Sequence, residues 1–305
     1  MSFSSEIKTE LCNLPLSSAC CNRAELAGLA ALCGTLLSES AGGGLRFRTE
    51  NEAVAQKIET LLSSLMGITA KQRRIRKKNE GYIYTLHIEG GEGFVRLMKT
   101  LGFWQDGRVK FCANPFITAE SCCRRSFLRG AFLGSGSASA PQKSYHLEIE
   151  THHRDLAADI VQLFMDEQLA ARSVIRKSNY VIYIKDSEEI ADALTALGAT
   201  DSALNLYYIK IEKNMKNKIN RRVNCETANL TKTANAAAQQ IVAIQKVLRS
   251  PLSASLSQGH LELAQLRLEN PEASLAELAA MMEKPISKSG VSRRLQKMID
   301  LAEGL

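Results

Sequence analysis

The sequence predicts an α+β fold, in which two similar units of about 100 residues each are followed by an all-α domain. Three observations lead there. A shift of 102 residues lays the first part of the chain over the second. Each half then reads helix, strand, helix, strand, strand, helix. From about Asn235 onward the pattern is purely helical and ends in two helices joined by a short turn.

The repeat is read from coincidences in order. Cys20-Cys21 falls on Cys122-Cys123, while Leu26, Gly28 and Gly34 fall on Leu128, Gly130 and Gly136. Leu45, Thr49 and Ile58 fall on Leu147, Thr151 and Ile160. After a slip of a few residues, Arg76-Lys77 answers Arg176-Lys177, and both halves close on Leu-Gly, at Gly102 and Gly198. In each unit a small-residue helix comes first, over 23–38 and 124–134, with glycine as its stop. Strict alternation then predicts strands at Leu45–Thr49 and Leu147–Thr151. An amphipathic helix follows, carrying Val54, Ile58, Leu61 and Leu65 on one face, matched by Leu156, Ile160, Leu163 and Phe164. Hairpins turn around Lys78-Asn79-Glu80-Gly81 and around Ser178-Asn179, and short helices over 92–101 and 188–197 close the units. The predicted organisation is an N-terminal segment (1–19), repeat 1 (20–102), repeat 2 (103–200), a basic linker (201–234) and a C-terminal domain (235–305).

Composition narrows the class. With 45% hydrophobic and 23% charged residues the chain is not disordered as a whole, and no apolar run is long enough to span a bilayer. The net charge of +7 favours a polyanionic partner. The N-terminus lacks the apolar stretch of a secretory signal, so a cytoplasmic location is expected, with the eight cysteines reduced.

The first helix of each unit is the most specific feature. Leu26-Ala-Gly-Leu-Ala-Ala-Leu-Cys-Gly34 and Leu128-Arg-Gly-Ala-Phe-Leu-Gly-Ser-Gly136 place small residues where two helices can touch backbone to backbone. The first stretch resembles the LAGLIDADG motif of homing endonucleases, which implies a LAGLIDADG-like pseudo-dimer with the two helices at its pseudo-two-fold axis. In that family the eighth motif position is a metal-binding acid. Here the eighth positions are Cys33 and Ser135, and neither suits a hard Mg²⁺ ion. Glu39 lies past the motif and its repeat partner is Pro141, so no symmetric acid pair replaces them. The expectation is therefore a nuclease-like scaffold without catalytic residues. The alternative is a metal-dependent DNA endonuclease of the LAGLIDADG type.

Cys20, Cys21, Cys122 and Cys123 would suit zinc if pseudo-symmetry brought them together. Their adjacency departs from C-x₂-C spacing, however, and buried cysteine is often inert packing, so no metal or cofactor is assigned. His152 and His153 read as a surface pair at a helix start, because their counterparts Glu50 and Asn51 are not metal ligands.

Two basic stretches stand out. Lys71 to Lys78 holds six positive charges in eight residues, among them Arg73, Arg74, Arg76 and Lys77. It reads either as a charged edge strand that discourages aggregation or as a phosphate-contacting ridge; its counterpart, Arg172 to Lys177, is weaker. A second run from Lys210 leads to Arg221 and Arg222, as a charged linker helix or a further DNA-facing element.

In the C-terminal domain, helices are expected from Ala237 to Leu248 and from Leu261 to Leu268. Ser274-Leu-Ala-Glu277 forms a capping box opening a short helix through Met282, and Ser287 caps a final helix from Lys288 to about Ala302. On that final helix Val291, Leu295 and Met298 form a buried stripe. Ser289, Ser292, Arg293 and Gln296 share another face able to reach base edges, flanked by Lys288, Arg294 and Lys297 for phosphates.

Three stretches, Phe127 to Ser139, Arg221 to Asn229 and Ser287 to Leu295, resemble the WhiA family of Gram-positive bacteria, and the likeness spans nearly the whole chain. It implies a transcription factor or chromosome-associated protein. The family is linked to sporulation in filamentous members, and to cell division and chromosome segregation in others. The partners implied are double-stranded DNA and a protein on the N-terminal domain, with no membrane, and the implied location is the nucleoid.

Overall fold

The computed structural model describes residues 2–38, 43–77 and 81–305, which form two units, Met1–Glu212 and Lys213–Leu305. Glu39 and the turn residues Lys78, Asn79 and Glu80 lie outside the described residues. In chain order the first unit runs α1 (Phe3–Cys12), α2 (Ala19–Cys33), β1 (Gly34–Leu36), β2 (Leu45–Thr49), α3 (Glu52–Met66), β3 (Lys71–Arg76), β4 (Tyr82–Ile88) and α4 (Glu92–Thr100). A small hairpin, β5 (Trp104–Gln105) and β6 (Arg108–Val109), joins the halves. The second half is α5 (Ser121–Ser135), β7 (Gly136–Ala138), β8 (Leu147–Thr151), α6 (Arg154–Asp166), β9 (Arg172–Arg176), β10 (Asn179–Ile184) and α7 (Ser187–Leu197).

The duplication is exact in topology. One sheet has the order β1-β2-β4-β3 and the other β7-β8-β10-β9, with neighbouring strands antiparallel in both. Gly34 pairs with Phe47 as Gly136 pairs with Ile149. In β2, Leu45, Phe47 and Thr49 are buried against the helices while Arg46 and Arg48 face outward; β8 buries Leu147, Ile149 and Thr151 in the same rhythm. Thr49 and Thr151 accept hydrogen bonds from the Asn51 and His153 backbone N–H groups, both at 3.2 Å, at the start of α3 and α6. His153 is the exposed N-cap of α6, and His152 beside it is also exposed. The turn of the second hairpin is Lys177-Ser178, with φ of 46° and 70°, the left-handed pair that matches the twist of its strands.

Two sequence expectations need correction. The helix placed over 23–38 runs from Ala19 to Cys33, because Gly34 turns extended and opens β1, a strand too short to show in periodicity. The N-terminal segment contains α1, whose Phe3, Ile7 and Leu11 enter the core. The basic linker expected over 201–234 is helical: it lies within α8 (Thr200–Leu248), which continues through the helix expected from Ala237, and the boundary between the two units, Glu212/Lys213, falls inside it. No proline or glycine occurs between Gly198 and Pro251, so nothing interrupts the helical ladder. From 211 to 236 this helix has no buried side chain.

The second unit combines the end of α8 with α9 (Gln258–Glu269), α10 (Leu275–Met281) and α11 (Lys288–Glu303). Its core joins Ile244, Leu263, Leu278, Val291, Leu295 and Met298.

Candidate nucleic-acid interface

Helices α2 and α5 cross at backbone distance. A Cβ on Gly28 would lie 2.2 Å from the Phe127 carbonyl oxygen, and one on Gly130 would lie 2.0 Å from that of Glu25. The two contacts are exchanged by the repeat shift, so the crossing point is the pseudo-two-fold axis. Only glycine fits at either position.

This crossing puts Cys33 and Ser135 at the C-terminal ends of the two helices. The Cys33 thiol donates to the Leu29 carbonyl at 3.1 Å, and burial pushes its pKa up to about 12. The Ser135 hydroxyl oxygen is buried without a hydrogen-bond partner among the described residues. Neither position carries a negative charge at neutral pH, so neither matches the hard oxygen anion that divalent magnesium requires. Lys8 of α1 approaches the same end. Its ammonium lies 6.0 Å from the Phe132 ring and feels the Cys33 sulfur, and burial lowers its pKa. A lysine thus stands near the eighth motif positions, delivered by a helix that the repeat does not predict.

A buried ionic cluster also escaped sequence reading. Glu25, 2% exposed, receives Arg129 Nη1 at 3.0 Å from the facing helix and lies 3.8 Å from Lys57 Nζ on α3. Arg129 also donates to the Leu197 carbonyl, and Lys57 to that of Leu14. Nothing in local periodicity distinguishes Glu25 from a surface acid.

The outer faces of the two sheets differ at their matching β2 and β8 positions. On the first, Arg46, Arg48 and Arg73 share that face; β3 is exposed along its whole length, and its Arg74 and Arg76 lie on the opposite face. Arg74 lies flat on the Tyr82 ring at 3.6 Å, while Lys71 and Lys77 are paired with Glu89 and Glu50. On the second, the matching positions of β8 are Glu148 and Glu150. Glu148 holds His146 at 2.9 Å and Arg176 at 3.4 Å, and Glu150 accepts from Asn179.

The C-terminal unit is built for a different purpose. Ser274 and Glu277 form the capping box that opens α10, and the Ser287 hydroxyl accepts the Gly290 N–H at 3.1 Å to open α11. Val291, Leu295 and Met298 are buried, whereas Lys288, Ser289, Ser292, Arg293, Gln296 and Lys297 are exposed along the helix. Arg294 departs from its expected role as a phosphate ligand: its guanidinium turns inward and donates to the Gly259 carbonyl at 3.1 Å, tying α11 to α9. Arg267, 2% exposed, donates to the Ala273 and Pro271 carbonyls at 2.6 and 3.3 Å, fixing the loop that enters α10. His260, at the start of α9, has its pKa lowered by burial and then by Lys297 and Arg294, which marks a concentration of positive charge beside α11. Arg221 and Arg222 are exposed on α8, and Arg222 forms an ion pair with Glu226 one turn on.

Fold and site together define a duplicated LAGLIDADG-like unit, without acids at its motif positions, that carries a C-terminal helix-turn-helix. Three family models match in series: the WhiA N-terminal LAGLIDADG-like domain over residues 19–104, the WhiA LAGLIDADG-like domain over 124–216 and the WhiA C-terminal HTH domain over 219–302. The chain belongs to the WhiA family. Among its relatives, the probable cell division protein WhiA of Alkaliphilus metalliredigens is 39% identical over 99% of this chain and 98% of that protein. The protein of the same name from Desulforamulus reducens is 40% identical over 100% of this chain and 96% of its own. The crystal structure of full-length WhiA from Thermatoga maritima aligns with a TM-score of 0.61 at 28% identity, covering 100% of this chain and 99% of that one. No described helix is long and apolar enough to cross a membrane.

Proposed function

We propose that the chain is a sequence-specific DNA-binding regulator, associated with the chromosome in the cytoplasm and acting in cell division and chromosome segregation. Sporulation is the corresponding role in filamentous relatives. The observation that carries this reading is the sorting of α11: its apolar stripe is wholly buried while Ser289, Ser292, Arg293 and Gln296 share an exposed face. These side chains suit base edges in a major groove, with Lys288 and Lys297 on phosphates. Arg73, Arg76, Arg221 and Arg222 are secondary phosphate contacts by charge and exposure. The relatives named as cell division proteins support the cellular role.

In this reading the duplicated unit is a scaffold that has lost nuclease chemistry, since Cys33 and Ser135 offer no carboxylate to a divalent ion. It does not grip DNA with both sheets either, because Glu148 and Glu150 would face phosphates where Arg46 and Arg48 do in the first half. A protein partner is the alternative occupant of this unit.

The test combines genome-wide mapping of bound sites with anisotropy on a recovered site at several salt concentrations. Arg293→Ala should relax discrimination at one base position, and Lys297→Ala should weaken all sequences alike and reduce the salt slope by about 1. Unchanged affinity and slope in both variants refute the assignment of α11. Cleavage of supercoiled plasmid in Mg²⁺ or Mn²⁺, abolished by mutating an acid of the duplicated unit, restores the nuclease reading.

A further inference from the structure

The N-terminal ends of α2 and α5 present a second cluster, on the opposite side of the crossing from the degenerate motif positions. Cys20 and Cys21 lie in the first turn of α2, and Cys122 and Cys123 in the first turn of α5. The sulfurs of Cys20, Cys21 and Cys123 all lie within 4.8 Å of one another. Cys122, the residue before Cys123 on α5, is exposed and lies outside this close group. All four are free cysteines. Thirteen residues of helix separate Cys20 from Cys33, roughly 20 Å at 1.5 Å per residue, so this cluster shares nothing with the lost metal centre.

We propose that Cys20, Cys21, Cys122 and Cys123 bind a zinc ion as a closed tetrathiolate site that staples the two halves at their pseudo-two-fold axis. Tetrahedral zinc with Zn–S bonds of about 2.3 Å places its sulfurs roughly 3.8 Å apart, so Cys20, Cys21 and Cys123 need only small side-chain adjustment, and the exposed Cys122 thiol turns in on binding as the fourth ligand. Sulfur ligands select zinc over the hard cations of the ancestral chemistry. Binding displaces the thiol protons to solvent, and the resulting negative charge lies at the positive ends of two 15-residue helices. The Ser18 hydroxyl, 3.1 Å from the Cys20 sulfur, supplies an outer hydrogen bond that orients one ligand. The adjacent-cysteine spacing that argues against zinc in a single segment loses its force here, because each helix supplies half of the site.

The full chain, produced without a histidine tag and kept reduced, should contain about one zinc per molecule by elemental analysis. Replacement by Co²⁺ should give the sulfur-to-cobalt charge-transfer and d–d bands of a tetrahedral thiolate centre. Cys21→Ser and Cys123→Ser should each weaken Co²⁺ binding by on the order of 100-fold, whereas Cys225→Ser, on exposed α8, should leave it unchanged. Should the ligand variants fail to fold, the wild-type cobalt spectrum and the metal content decide by themselves. Substoichiometric metal with no charge-transfer band overturns the proposal. So does iron with labile sulfide at this site, or a Cys20–Cys123 disulfide in protein kept reduced.

Discussion

Two helix pairs in this chain use their side chains in opposite ways. Where α2 meets α5, glycines bring backbone to backbone and the long central faces of both helices disappear into the core. Where α10 leads to α11, side chains do the packing: Leu278, Ala279, Val291 and Leu295 fill the interface, and the remaining face of α11 stays in solvent. The first pair keeps the LAGLIDADG-like crossing with Cys33 and Ser135 at the positions where that motif has acids. The second retains an exposed polar surface, which is what reading a base sequence needs. One pair spends its side chains on packing the core, the other leaves a polar face in solvent.

The contrast makes graded predictions. The largest effect falls at the crossing. Gly130→Val drives a side chain into the Glu25 carbonyl, and neither backbone can yield; a loss exceeding about 4 kcal/mol is expected in denaturant unfolding of the full chain. Near-wild-type stability would show that the helices do not touch as described. Next is Glu25→Ala, which strands Arg129 and Lys57 in the core and should cost about 3–5 kcal/mol by the same measurement. Replacing the whole cluster with apolar residues should recover much of that loss.

On the other pair, Arg293→Ala should leave stability within about 0.5 kcal/mol. It should weaken binding to a specific site by about 1–3 kcal/mol, or roughly 5- to 150-fold, measured by anisotropy. A stability loss without a binding loss would reverse the roles assigned to the two pairs. The smallest effect concerns pH. His260 has a depressed pKa beside Lys297 and Arg294, so protonating it costs more folded than unfolded, and its charging lowers stability as pH falls below about 6.5. A phosphate at that position offsets the cations and raises the His260 pKa, so DNA binding takes up a proton and affinity should fall severalfold from pH 6 to pH 8. His260→Ala should flatten that slope, and NMR titration of the ring should show the upward shift on binding.

Much of the architecture was legible because repetition turns weak signals into strong ones. A single small-residue helix is ambiguous, but Gly28 and Gly130 in equivalent positions identify a crossing. The capping box at Ser274 and Glu277 and the face sorting of α11 were readable because both depend on residues within a turn or two of one another. The missed elements have identifiable causes. β1 and β7 are three residues each, too short for alternation to register. In the middle of α8 the apolar residues Ile211, Met215, Ile219 and Val223 stay exposed among charged and polar neighbours, so the absence of helix breakers was the clearest signal of one continuous helix. Arg294 looked like its neighbours Arg293 and Lys297, because sequence spacing does not say that Gly259 offers a carbonyl behind it.

By itself the sequence determined the duplication, the absence of acids at both motif positions and the sorting of the last helix, since each is written in residue identity or local period. Tertiary structure alone decided that Glu25 is a core residue, that Lys8 comes to the Phe132 ring, and that Cys20, Cys21 and Cys123, about a hundred residues apart in sequence, share one corner of the molecule. The reason is physical. Local periodicity specifies which face of a helix is apolar, but which distant faces meet depends on packing the whole core.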